Sequence, residues 1–100
     1  MNYNEKLGHF AAVLEKAQMD RLKVDGVDCF ANRQTNYTRI IDGKKYSKVD
    51  IGNSGRYMVD KQTEEIFGVK GYGVIHRGHR FGTLDTIQNW NWGGYYATPI

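Results

Sequence analysis

The sequence predicts an α+β fold: an N-terminal helix packed on an antiparallel β meander, with a short C-terminal helix and an aromatic tail. Three observations carry this. Leu7, Phe10, Ala11, Leu14 and Ala17 recur at helical spacing and make one apolar stripe. Residues alternate in character on both sides of Asp42-Gly43, the signature of a hairpin. Two further alternating runs follow, each after a short turn, and strands joined this way pair with their neighbours. A helix and a meander bury their apolar faces against each other as two layers.

The chain has 100 residues, enough for one domain, 1–100, with a single modest core. Apolar residues make up 40% and charged residues 25%, the balance of a globular protein rather than a disordered one. Cys29 is the single cysteine, so no internal disulfide staples the fold, which suits a reducing cytosol. No apolar run approaches the length of a membrane span, and the first residues lack a signal peptide's apolar stretch. Without an export signal, Asn36-Tyr37-Thr38 is a chance match to a glycosylation acceptor.

In chain order, Asn4 is placed to cap the helix, with Glu5 in its first turn, and the stripe predicts an end between Met19 and Leu22, before Gly26. His9 stands on this helix without a partner nearby in sequence. Cys29-Phe30 reads as a short strand or buried link, and Asp28 beside Cys29 argues for an inert thiol. Tyr37–Ile41 and Tyr46–Ile51 are strands around a two-residue turn at Asp42-Gly43. Gly52–Gly55 is a second turn, Arg56–Asp60 a third strand, Lys61–Glu64 a third turn and Glu65–Val69 a fourth strand. Val74–Phe81 reads as a small hairpin around Arg77-Gly78, or as a glycine-rich loop over the sheet edge. Thr83 is placed to cap a short helix carrying Leu84, Ile87 and Trp90. The tail holds Trp90, Trp92, Tyr95 and Tyr96 and should fold back over core or sheet edge.

Charge is uneven along the chain. Residues 1–32 carry a net −1, residues 33–80 a net +5 and residues 81–100 a net −1, which sum to +3. Lys70 to Arg80 has three cations and no acid. Lys70, Tyr72, His76, Arg77, His79 and Arg80 are therefore candidates for binding phosphate: cations supply charge, Tyr72 a stacking ring, and glycine amides a close approach. The competing reading is a solvated segment with ordinary surface cations. Gly71-Tyr72-Gly73 lacks the further glycine and helix of a dinucleotide loop. His76 and His79, with His9, fall short of a zinc site, because the neighbouring arginines repel a dication. No catalytic set is evident, and neither enzyme activity nor a cofactor is expected. Trp90, Trp92, Tyr95 and Tyr96 are either a partner-binding patch or the completion of a small core.

Tyr46–Val49, Arg56–Lys61, Glu65–Gly68, Lys70–Gly73 and Gly82–Thr86 together resemble a set of small, mostly uncharacterised bacteriophage and prophage proteins. The likeness covers Tyr46 to Tyr96, about half the chain. It implies phage origin and a cytoplasmic setting in an infected host cell, and it brings no catalytic residues. Glu64-Glu65 departs from it, standing where such turns more often carry glycine.

These readings lead to a non-enzymatic phage-type binding protein, in its most concrete form a host-defence inhibitor. Its expected ligand is nucleic acid or a nucleotide, held by Lys70–Arg80. The alternatives are blocking a host protein by direct contact, or a structural or assembly role as a homo-oligomer. No membrane partner is expected.

Overall fold

The computed structural model describes residues 1–26, 29, 37–52, 54–71, 74–94 and 97–100. Helix α1 spans Tyr3–Val24. Its N-cap is Asn2 rather than Asn4: the Asn2 side chain accepts the Glu5 N–H at 2.9 Å. Tyr3 is already helical, and its hydroxyl donates to Ser47 Oγ at 2.8 Å, which docks the first turn on the sheet. The helix outlasts the expected end because Arg21 and Lys23 suit the negative end of its dipole, and Gly26 (φ 72°) then turns the chain away. Cys29 is exposed and in no strand, against the expectation of a strand or buried link; Phe30 lies outside the described residues.

The meander is present as β1 (Thr38–Asp42), β2 (Tyr46–Ile51), β3 (Ser54–Asp60), β4 (Glu65–Gly71) and β5 (Val74–Thr83). All neighbours pair antiparallel in the order β1-β2-β3-β4-β5. The turns differ from expectation. Asp42 remains in β1 opposite Ser47, and neither Asp42 nor Gly43 has positive φ, so no two-residue turn forms there. The Asp42 carboxylate is instead occupied by Lys61 Nζ at 2.7 Å and the Ser47 hydroxyl at 3.3 Å, which hold it in the strand. The tight turn falls instead between the paired Ile51 and Ser54, with Gly52 at φ 59°.

The third turn carries a non-glycine residue, Glu64, in the left-handed region. Asp60 Oδ1 accepts the amides of Gln62 (2.7 Å) and Thr63 (3.1 Å), and Glu64, at φ 64°, occupies the left-handed position that closes the loop. That conformation is costly for a residue with a Cβ. Glu64 is held there from both ends: its carbonyl accepts the Leu84 N–H at 3.0 Å, and its carboxylate meets Lys6 Nζ at 2.9 Å. Lys6 also reaches Asp85 at 3.1 Å, so one lysine ties the helix start to two turns of the sheet.

The core lies between α1 and one face of the sheet. Leu7, Phe10, Ala11 and Leu14 pack with Val49, Ile51, Tyr57, Val59, Ile66 and Phe81. The tail closes it. The short C-terminal helix is a single 3-10 turn, Ile87–Asn89, whose cap residue is Thr86; Thr83 Oγ1 instead accepts the Asp85 N–H within the preceding turn. Gly82 (φ 73°) brings the chain so close that a Cβ there would run into Thr86 Oγ1. β6 (Trp90–Asn91) then pairs with β7 (Thr98–Pro99) in a separate two-stranded sheet. Trp92, 2% exposed, packs edge-on against Phe10 (4.8 Å) and Tyr57 (5.4 Å) and donates its indole N–H to Ile87 O at 2.9 Å. Gln18, on the buried stripe of α1, donates to the carbonyls of Trp92 (2.7 Å) and Gly94 (3.1 Å) and so fastens the tail to the helix.

Candidate phosphate-binding face

β5 is one strand, neither a hairpin nor a loop. Its irregularity has a local cause: Phe67 pairs with Arg80 while the next residue, Gly68, pairs with His76. Arg77, Gly78 and His79 are therefore surplus and bulge out of the ladder. Gly68, read in the sequence as part of the fourth strand, accommodates this bulge. At Gly68 a Cβ would stand 2.9 Å from His79 Cβ, so only glycine lets the bulge settle on the sheet.

Strand alternation divides the four candidate residues of β5, His76, Arg77, His79 and Arg80, between two faces. Gly68 lies opposite core residue Tyr57, so His76, paired with Gly68, faces the helix side. His79 is on that side too, beside Gly68 and two residues from core residue Phe81. The two imidazoles stack, with ring centroids 3.9 Å apart and planes 19° apart. His76 Nδ1 is buried and has no hydrogen-bond partner among the described residues. A depression of about 270 Å³ beside them is lined by Gly78, His79, Arg80 and Phe81. Among the described residues no three His, Cys, Asp or Glu side chains gather as metal ligands would.

Arg77 and Arg80 occupy the outer face. Arg80 pairs with Phe67, its guanidinium carbon lies 5.6 Å from the Phe67 ring centroid, and its Nε is 3.5 Å from Glu65. Arg77 donates to the Tyr46 hydroxyl at 2.8 Å. That bond joins β5 to β2, so it passes over β3 and β4, a width of about 14 Å at ordinary strand spacing. Arg80 Nε also donates to Arg77 O at 3.2 Å, coupling the two. Beneath them runs a continuous row in which each residue lies opposite the next: Ile41, Lys48, Met58, Phe67 and Arg80. Met58 and Phe67 are only 6% and 4% exposed, although they face away from the helix.

Lys70 is exposed near the far end of β4, where the register slips, and Tyr72 lies outside the described residues. Of the tail aromatics, Trp92 is in the core and Trp90 is half-buried against it. Tyr95 and Tyr96 lie outside the described residues. Sequence reasoning missed Tyr46, Phe67 and Asp50. Tyr46 and Phe67 were read only as strand residues, and pairing across four strands was needed to bring them beside the arginines. Asp50 is completely buried; neither of its oxygens has a hydrogen bond among the described residues, and Arg39 Nη2 stands 3.7 Å away. A carboxylate in an alternating run gives no sign of burial.

No protein-family model, curated protein or solved structure matched the chain. No helix among the described residues is long and apolar enough to cross a membrane.

Proposed function

We propose that this is a non-enzymatic binding protein that takes a phosphate-bearing ligand, nucleic acid or nucleotide, on the outer face of its sheet through Arg77 and Arg80. The observation that supports it is the placement of these two arginines. Arg77 opens the bulge and Arg80 is the first paired residue after it; both stand exposed on the face away from the core and are linked to each other by a hydrogen bond. Folding does not require them there, because their outer-face contacts are to an exposed tyrosine hydroxyl, a phenyl ring and one partly exposed carboxylate. Arginine pairs suit phosphate because each guanidinium presents its donors as a planar fork. The histidines contribute to the shape of the bulge from the other side.

Within the phage setting that the sequence resemblance implies, sequestering such a ligand would make the protein a cytoplasmic host-defence inhibitor. The competing mechanism, blocking a host protein with the aromatic tail (Trp90, Trp92, Tyr95 and Tyr96), is less well supported because Trp92 is occupied by the core. The test is calorimetric titration with inorganic phosphate, mononucleotides and short oligonucleotides at low salt. Binding should weaken steeply as salt rises and be lost in Arg77→Ala/Arg80→Ala. A protein that binds none of these ligands at low salt refutes the reading.

A further inference from the structure

We infer that the ligand of this face is single-stranded nucleic acid, laid across the strands from β5 towards β2; this rests on the reading that Arg77 and Arg80 bind phosphate. The row from Ile41 to Arg80 crosses all five strands, about 19 Å at ordinary strand spacing. A mononucleotide would use only its β5 end. Cations flank the whole path: Arg80 and Arg77 at one side, Lys48 in the row, Arg39 and Lys45 at the other. The carboxylates near it are largely committed. Asp50 is buried, Asp60 Oδ1 accepts two turn amides, and Glu65 meets Arg80. A polyanion therefore meets net positive charge along its length.

The rings discriminate further. Phe67 lies in the row and Tyr46 beside it, and each is covered by a cation: Arg80 over Phe67, and Lys45 Nζ 5.4 Å from the Tyr46 ring centroid. A phosphate competes for the guanidiniums of Arg77 and Arg80, since an arginine–phosphate hydrogen bond is stronger than one to a phenol or contact with a ring. Drawing them aside releases the Tyr46 hydroxyl and uncovers Phe67. Bases that are not paired in a duplex can then stack on the two rings. Duplex bases offer no free faces, and among the described residues no helix lies on this face to enter a groove.

The experiment compares a single-stranded oligothymidylate of about ten residues, the same strand as a duplex with its complement, and thymidine monophosphate. Fluorescence anisotropy or calorimetry at low salt gives the affinities. The single strand should bind at least about tenfold more tightly than the mononucleotide, and more tightly than the duplex. Its salt dependence should have a log–log slope near −2, about −0.7 for each of three phosphates neutralised. Tyr46→Leu and Phe67→Leu, which keep apolar bulk but remove the ring, should each weaken it about fivefold or more. Arg39→Ala/Lys48→Ala should weaken the single strand and leave the mononucleotide unchanged. If strand and mononucleotide bind equally, if the duplex binds as well as the strand, or if the ring variants bind normally, the strand platform is wrong. A mononucleotide interaction still lost in Arg77→Ala/Arg80→Ala would then leave the phosphate reading standing. Absence of binding to all three probes overturns both.

Discussion

The fastening of the tail to the helix by Gln18 can be tested with two substitutions that differ in sign. Gln18 Nε2 serves the Trp92 carbonyl, in a buried contact, and the Gly94 carbonyl, in a part-buried one. In Gln18→Leu the volume is kept and both donors vanish. A buried carbonyl left without a partner costs about 1–3 kcal/mol, and the half-buried one less, so the variant should lose roughly 2–4 kcal/mol. For a domain of this size that lowers Tm by roughly 8–30 °C, measurable by thermal circular dichroism or calorimetry. Gln18→Glu should be worse at neutral pH, because an ionised carboxylate then faces two carbonyl oxygens with no donor to offer, and a buried unpaired charge costs about 3–5 kcal/mol. Protonation gives it one O–H donor. Its folded pKa must therefore lie above the ordinary glutamate value, and the deficit relative to wild type should shrink as pH falls from 7 to 4. The reasoning fails if Gln18→Leu unfolds within about 0.5 kcal/mol of wild type. It fails equally if the deficit of Gln18→Glu does not change between pH 7 and pH 4.

Other expectations concern strain, packing and charge. Gly68→Ala places a methyl 2.9 Å from His79 Cβ and should cost about 1–3 kcal/mol while shifting the imidazole resonances of both stacked histidines, read by NMR. Glu64→Gly relieves left-handed strain of about 1–2 kcal/mol but forfeits the partly buried Lys6 ion pair, worth about 1 kcal/mol or less. In a Lys6→Met background no pair remains to lose, so the same substitution should gain more stability there, as chemical denaturation would show. The hydrogen bond from Lys61 holds the Asp42 carboxyl below its ordinary value, so its contribution is present at neutral pH and lost as pH falls below about 4. Lys61→Ala should move the Asp42 titration upward by carboxyl NMR. At the alkaline end, burial raises the Tyr3 phenol and hydrogen bonds to Glu64 and Asp85 raise the Lys6 ammonium. Both contributions are present below about pH 10 and lost above it, so Tyr3→Phe should flatten the alkaline fall in stability.

Much of the fold was legible because its periodicities are uninterrupted. Leu7, Phe10, Ala11 and Leu14 mark the buried face of α1, and Val49, Ile51, Tyr57, Val59 and Ile66 alternate inward on three strands. The stripe did not reveal Gln18, because a polar residue at a buried spacing looks like a surface residue until its carbonyl partners are known. β5 was illegible for a different reason. Arg77, Gly78 and His79 are surplus to the ladder, so the inward and outward alternation shifts phase inside the strand, and the glycines suggest a break. The same phase shift hid the separation of the histidines from the arginines. Met58 and Phe67 show the limit of pattern from the other side: alternation places them outward and says nothing of the arginine drawn across Phe67.

The contacts of α1 also govern when this chain can fold during its synthesis. Lys6 pairs with Asp85, 79 positions later, and Gln18 holds a carbonyl 74 positions away. Phe10 rests on Trp92. The helix is made first, yet its apolar stripe has no complete cover until the tail has emerged from the ribosome. Such long-range closure is slow, and it leaves an unpaired apolar helix exposed in the meantime. A chain stopped before residue 90 should remain unfolded and be an early target for proteases and chaperones.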